Sequence, residues 1–186
     1  MKNLEQELKM SLSEREYNIL LGVAGVKPQL QINYYFRSKD MPFGTMVRLR
    51  AKGKTYQLCY KQLLSDRSGI AVCDERECEV SADYANSMRE RGITVAEARD
   101  LLGVEFNSEL TYVGSLSTYR ALFNIEEWTV ELDKNEYLDT VDYELECENL
   151  FVEQLEKLKN FLFYTYGIVF RQSKPKVQRF WEKYNQ

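Results

Sequence analysis

Acids and bases stand in separate rows on strand-like stretches of this chain, at the two-residue spacing that puts side chains on one face of a strand. Leu4-Glu5-Gln6-Glu7-Leu8-Lys9 aligns Glu5, Glu7 and Lys9. Met46-Val47-Arg48-Leu49-Arg50 aligns two arginines, and Asp142-Tyr143-Glu144-Leu145-Glu146-Cys147-Glu148 aligns a run of acids. Glu77 and Glu79 repeat the acidic spacing, Asp133 adds a carboxylate, and Lys61 and Arg120 join the basic set. Carboxylates roughly 7 Å apart along one face are close enough to share divalent cations, and paired guanidiniums suit phosphate oxygens. Any one row by itself reads as the solvated face of a sheet. Taken together they read differently, because solvated faces mix signs whereas like charges side by side repel unless an ion or ligand neutralises them. The arrangement suits a site that holds divalent cations and polyphosphate together.

The chain has no histidine, which removes a Ser-His-Asp triad, a Cys-His pair and histidine-ligated zinc. A metal must therefore find oxygen ligands, which favours magnesium, manganese or calcium. The net charge of −4 argues against broad electrostatic binding of nucleic acid. No apolar run approaches the roughly 18 residues needed to span a bilayer, so no membrane partner is expected. Cys59, Cys73, Cys78 and Cys147 lie singly, without CxxC spacing, and Met1-Lys2-Asn3 does not open a signal peptide. These features predict a cytoplasmic protein, and 186 residues suit one domain, 1–186, with helices from about residue 151.

The elements that must position these rows follow from periodicity. Ser13 and Glu16 fit a capping box ahead of the periodic Tyr17, Leu20, Leu21 and Ala24, predicting a helix to about Val23 closed by Gly25 and Pro28. Strands are predicted for Gln29 to Arg37, Thr45 to Lys52, Lys54 to Gln62 and Gly69 to Val80. Ser81 caps a helix through Met88, and Thr94 with Glu97 opens a second that stops at Gly103. Leu110 to Phe123, Trp128 to Asp133 and Val141 to Leu150 read as strands, and Phe151 to Tyr166 and Pro175 to Tyr184 as helices. The expected class is α+β: an eight-stranded antiparallel β-barrel with helices packed on the outside, which buries the apolar faces and turns the charges inward. Burying so many charges without counter-ions costs several kcal/mol apiece, so water, metal and anionic substrate are expected inside.

Glu5-Gln6-Glu7-Leu8-Lys9 matches the ExExK signature at the N-terminus of CYTH proteins, also called triphosphate tunnel metalloenzymes. Asn33-Tyr34-Tyr35-Phe36 resembles the family's second strand, Arg48-Leu49-Arg50 its paired arginines and Tyr60-Lys61 its following lysine. Glu77-Cys78-Glu79, Thr118-Tyr119-Arg120, Leu132-Asp133 and Asp142-Tyr143-Glu144-Leu145-Glu146 follow in the family's order, and Ser173-Lys174 resembles its late lysine motif. ExExK alone is a weak pattern, whereas the ordered set is specific. The resemblance implies a tunnel that binds a small-molecule triphosphate or polyphosphate with Mg2+ or Mn2+. It places Glu5, Glu7, Asp133, Glu144 and Glu146 on metal, with Glu77 and Glu79 near a second ion or the attacking water. Lys9, Arg48, Arg50, Lys61, Arg120 and Lys174 grip phosphate, and Lys9 with Tyr35 matches a catalytic pair of the family's thiamine triphosphatases. Two positions depart from the pattern. Arg37 stands where many relatives have aspartate, and Thr118 where some polyphosphatases have a second base.

A metal-dependent triphosphatase is the first reading, on tripolyphosphate or a nucleoside or other organic triphosphate. The alternatives are a class IV-like adenylate cyclase and a noncatalytic module that binds polyphosphate or nucleotide. Such cyclases often carry a His-Phe pair ahead of ExExK, which this chain lacks, and no residues dedicated to adenine or to a ribose hydroxyl stand out. The sequence leaves the physiological substrate and the oligomeric state open.

Overall fold

Apolar and polar residues alternate along strands whose greasy face needs a cover, and amphipathic helices supply it. The computed structural model describes residues 6–42, 44–67 and 70–186. In chain order the elements are β1 (Gln6–Leu12), α1 (Glu14–Ala24), β2 (Gln29–Arg37), β3 (Thr45–Lys52), β4 (Thr55–Arg67), β5 (Ile70–Val80), α2 (Ala82–Arg91), α3 (Val95–Leu102), β6 (Thr111–Ile125), β7 (Trp128–Tyr137), β8 (Thr140–Leu150), α4 (Val152–Tyr166) and α5 (Lys176–Tyr184). The class is the predicted one, α+β with eight antiparallel strands.

The chain divides into two compact units, one up to Leu30 and from Ser117 onward, the other Gln31–Leu116. In the first, β1 pairs with β8, β8 with β7 and β7 with β6, all antiparallel. Leu8, Met10, Leu132 and Leu145 point to one face and pack with Tyr17 and Leu20 of α1 and Leu158 and Leu162 of α4. In the second, β2, β3, β4 and β5 pair in sequence. There Phe36, Val47, Leu49 and Leu58 pack with Ala85 and Met88 of α2 and Ala98 and Leu102 of α3.

The helix boundaries have the predicted chemistry. Ser13 accepts from the Glu16 backbone N–H at 3.3 Å while Glu16 accepts from the Ser13 N–H at 2.7 Å, and Thr94 and Glu97 make the same reciprocal pair. Gly25 and Gly103 end their helices in the left-handed conformation, at φ 60° and 64°. Pro175 caps α5 from just outside the helix rather than occupying its first turn.

Two strands run further than their periodicity suggests. β4 continues to Arg67, past a register shift between Leu63 and Ser65 that breaks the two-residue alternation. β7 continues to Tyr137, paired with β8 through Asn135–Asp142, Glu136–Val141 and Tyr137–Thr140, with the polar Asn135 fully buried. The turn that follows has Leu138 and Asp139 at φ 44° and 60°, the two positive φ values of a tight hairpin that suits strand twist. Leucine is a rare occupant of that conformation, so the sequence carries no Asn-Gly or Asp-Gly mark there.

Candidate functional site

Residues directly opposite one another in neighbouring strands share a face. In the first unit, Arg120 on β6 faces Asp133 on β7, which faces Glu144 on β8, and Lys9 on β1 faces Glu146 on β8. Asp133 and Glu144 are fully buried and Glu146 nearly so. One carboxylate oxygen from each of the three lies within 4.8 Å of the others.

Four cationic side chains hold this group. Arg120 donates from Nε to Asp133 Oδ1 at 2.8 Å and from Nη2 to Asp133 Oδ2 at 2.6 Å and Glu146 Oε2 at 3.2 Å, and it also pairs with Glu131. Lys9 Nζ is 3.0 Å from Glu146 Oε1. Lys176, the first residue of α5, places Nζ 2.9 Å from Asp133 Oδ2 and 2.9 Å from Glu146 Oε1, and contacts Glu144 Oε1. Arg179 Nη2 is 2.7 Å from Glu144 Oε2, and its Nη1 is 3.3 Å from Asp142 Oδ1.

A neutral layer orients the acids. Thr118 donates to Asn135 Oδ1 at 2.7 Å, which turns the Asn135 amide N–H groups onto Asp142 at 3.0 Å and Glu144 at 3.2 Å. Tyr137 donates to Asp142 at 2.7 Å, and Ser173 donates to Glu144 at 3.3 Å. Thr118, itself fully buried, thus reaches the acids through Asn135.

The ionisation of the site follows from these contacts. Burial pushes the Glu146 carboxyl up, but the Lys176 and Lys9 ammoniums outweigh it and hold the group down at about 2. Burial also disfavours charge on Lys176, yet Asp133, Glu144 and Glu146 raise its pKa well above the ordinary lysine value. The same contest ends the same way for Arg120, whose charge Asp133, Glu131 and Glu146 secure. Glu131 is pushed upward by burial and by the carboxylates of Asp133 and Glu146, against the pull of Arg120.

The donor set fits a divalent metal. All its ligand atoms are carboxylate oxygens, the donors that hard cations such as magnesium and manganese take. The Lys176 ammonium meets all three carboxylates, so their oxygens converge on a single positive charge.

Of the residues singled out by the sequence, Lys9, Arg120, Asp133, Glu144 and Glu146 meet in this unit. Lys174 does not join them: its Nζ is 2.9 Å from Glu182 at the surface, and Lys176 reaches the acids instead. Glu5 lies outside the described residues, as does the side chain of Glu7, which sits in β1.

In the second unit the register puts the remaining candidates on one face. Tyr35 is opposite Arg48 and Asn33 opposite Arg50, and Arg48 is opposite Cys59, which faces Glu77. Arg50 is opposite Gln57, which faces Glu79, and Lys61 faces Glu75. Tyr35 is buried, Arg48 and Arg50 are half-buried, and Lys61, Glu77 and Glu79 are exposed. Arg50 Nε donates to Asn33 Oδ1 at 3.4 Å, whereas the buried Nε of Arg48 has no hydrogen-bond partner among the described residues. Lys61 is paired with Glu75.

Sequence reasoning passed over Glu131, Asn135, Asp142, Lys176 and Arg179 as members of the site. The signals were present. Glu131, Asp133 and Asn135 alternate along β7, and Lys176, Arg179 and Phe180 are spaced i, i+3, i+4 on one face of α5, where Phe180 is fully buried.

A model of the CYTH domain matches residues 3–181. YjbK of Bacillus subtilis, named provisionally as a triphosphatase, is 27% identical over 98% of this chain and 96% of its own length. A solved structure from Bacillus halodurans, described provisionally as an adenylate cyclase, is 26% identical with a TM-score of 0.72, covering 96% of this chain and 97% of the other. HpAC1 of Hippeastrum, described as an adenylyl cyclase candidate with a dominant triphosphatase activity, superposes with a TM-score of 0.74 at 23% identity, covering 96% of both chains. The ordered motifs, the buried carboxylates on β7 and β8 and a family match over nearly the whole length lead to one assignment: the chain belongs to the CYTH domain family.

Proposed function

We propose that this protein is a divalent-metal-dependent triphosphatase, acting on tripolyphosphate or a nucleoside or other organic triphosphate with Mg2+ or Mn2+. One observation carries the reading: three buried carboxylate oxygens converge within 4.8 Å and are met by Arg120, Lys9 and Lys176. Both relatives whose names or descriptions mention a triphosphatase favour hydrolysis. A divalent cation bound there would neutralise phosphate oxygens and steady the charge that builds on them in phosphoryl transfer.

The candidate side chains have separable tasks. Asp133, Glu144 and Glu146 would hold the cation, together with Glu5 and Glu7, which the ExExK signature contributes. Arg120 keeps Asp133 and Glu146 oriented while leaving one oxygen of Glu146 to other partners. Arg48, Arg50 and Lys61 keep the phosphate-binding role that the family resemblance implies, and the buried Nε of Arg48, without a hydrogen-bond partner among the described residues, supports a ligand for that guanidinium. Glu77 and Glu79 keep the role of helping a second ion or positioning water, and Lys9 and Tyr35 that of handling protons. The matched residues 3–181 run through both compact units, which supports one CYTH domain. Cys59, Cys78 and Cys147 are free thiols, which suits a cytoplasmic setting, and among the described residues no helix is long and apolar enough to cross a membrane.

A product assay over a panel of triphosphates tests this. Phosphate release that requires Mg2+ or Mn2+ is expected. Pyrophosphate with a cyclic nucleotide would make the protein a cyclase, and tight binding without turnover would make it a sensor.

A further inference from the structure

We infer that Lys176 is the resident counter-ion of the Asp133, Glu144 and Glu146 carboxylates, and that a divalent cation enters by exchanging with its ammonium. The inference rests on the metal reading above and adds how loading happens.

Each acid of the triad divides its two oxygens. Asp133 Oδ1 is held by Arg120 Nε, Glu144 Oε2 by Arg179, and Glu146 Oε2 by Arg120. The other oxygens, Asp133 Oδ2, Glu144 Oε1 and Glu146 Oε1, all meet Lys176 Nζ. Lys9 shares Glu146 Oε1, Asn135 shares Glu144 Oε1, and Arg120 Nη2 shares Asp133 Oδ2, but Lys176 alone among the described residues bridges the three. The guanidiniums therefore fix the carboxylates from outside, and the ammonium fills the point at which they converge. A divalent ion needs those same three oxygens at about 2.0–2.6 Å, which leaves no room for a lysine nitrogen among them.

Charge supports the exchange. Among the described residues, Glu131, Asp133, Asp142, Glu144 and Glu146 are met by Lys9, Arg120, Lys176 and Arg179. The acids outnumber the cations, and Glu5 and Glu7 of the proposed ligand set add further negative charge, so a divalent ion is favoured there over a single ammonium. The fold also permits the departure. Lys176 opens α5 next to the exposed Lys174 and Pro175, whereas Phe180 and the Arg179–Glu144 pair anchor the rest of the helix. The side chain can swing out without α5 unwinding.

Exchange makes metal affinity a competition, so removing the competitor strengthens it. Mn2+ binding is measured by electron paramagnetic resonance without triphosphate, on the wild type, Lys176→Met and Asp133→Asn. Lys176→Met should bind Mn2+ at least about tenfold more tightly than the wild type, or roughly 1.4 kcal/mol, and Asp133→Asn should lose binding. In parallel, acylation of the wild-type lysines is followed by mass spectrometry. Mn2+ should raise labelling of Lys176 severalfold and leave the exposed Lys174 unchanged, a result that stands even if Lys176→Met does not fold. Unchanged or weaker Mn2+ binding by a folded Lys176→Met, or labelling of Lys176 that Mn2+ does not move, would overturn the exchange while leaving the metal site intact. Wild-type Mn2+ affinity in Asp133→Asn would instead overturn the metal site itself.

Discussion

Asp133 on β7 and Glu144 on β8 stand directly opposite each other across the ladder, and neither side chain reaches solvent. Two acids in that relation repel, and a sheet optimised for stability alone would not keep them. Lys176 touches both, and Arg120 and Arg179 take one each. The pair is held in place by cations, and this shapes what substitutions there will do.

Glu146→Gln should abolish metal-dependent turnover, because it removes an anionic oxygen from the point of convergence. A simple picture of crowded acids would have this change raise stability by relieving repulsion. The structure points the other way: Glu146 is the partner of Lys9, Lys176 and Arg120, so a loss on the order of 1–3 kcal/mol is expected from weakened buried bonds. Turnover at limiting metal and urea unfolding of the same variant check both halves. Wild-type turnover would remove Glu146 from the metal site.

Arg48→Ala and Arg50→Ala should weaken binding of tripolyphosphate more than binding of monophosphate, since a guanidinium gains with each anionic oxygen it meets. Both side chains lie on the polar face of the second unit, and their loss leaves the Val47 and Leu49 core untouched. Calorimetric titration with the two anions distinguishes the cases. Equal losses would mark the arginines as structural.

Stability should fall with acid partly through Glu97. Arg91 donates to it at 2.8 Å and, with Tyr84 and Thr94, holds its pKa well below the ordinary carboxylate range against the opposing effect of burial. A lowered folded-state pKa means that the contribution is complete above the unfolded value of about 4.3 and disappears as pH falls through the folded one. The difference in melting temperature between the wild type and Glu97→Gln should therefore be largest near pH 6 and shrink steadily below about pH 4.3. A difference that does not change with pH would place the benefit of Glu97 outside its charge.

Gly92→Ala should destabilise the second unit. Gly92 closes α2 at φ 88° and ψ −169°, a region that costs other residues about 1–3 kcal/mol, and a Cβ there would lie 2.5 Å from the Leu110 carbonyl oxygen. That oxygen accepts from the Ile93 N–H at 2.8 Å, so the backbone cannot move aside freely. A urea midpoint equal to the wild type would show that the Ile93–Leu110 bridge yields.

Much of this was legible because strands declare themselves by alternation and helices by their caps. Ser13 with Glu16 and Thr94 with Glu97 fixed two helix starts, Glu144 and Glu146 stood out as acids at the two-residue spacing of one strand face, and Asp133 stood out as a further carboxylate. The rest was hidden for physical reasons. Asn135 is a polar residue whose burial depends on Thr118, Asp142 and Glu144, partners far from it in the chain or across a turn. The choice between Lys174 and Lys176 turns on where α5 begins, and one residue of helix rotates a side chain by about 100°. The tail before α5 is set by pairing of Gln172 with Met10 and by the Ser173 N–H bonding the Lys9 carbonyl at 3.2 Å, contacts that no local pattern announces.

The central claim, that the protein hydrolyses a triphosphate with a divalent cation held by Asp133, Glu144 and Glu146, is tested most directly by phosphate release from tripolyphosphate during a Mn2+ titration of the metal-stripped wild type and of Glu144→Gln. The wild type should be inactive without metal and rise to saturation with Mn2+, while a folded Glu144→Gln should need at least about tenfold more Mn2+ or stay inactive. Phosphate release from the stripped wild type, or a Mn2+ dependence shared by both proteins, would contradict the account.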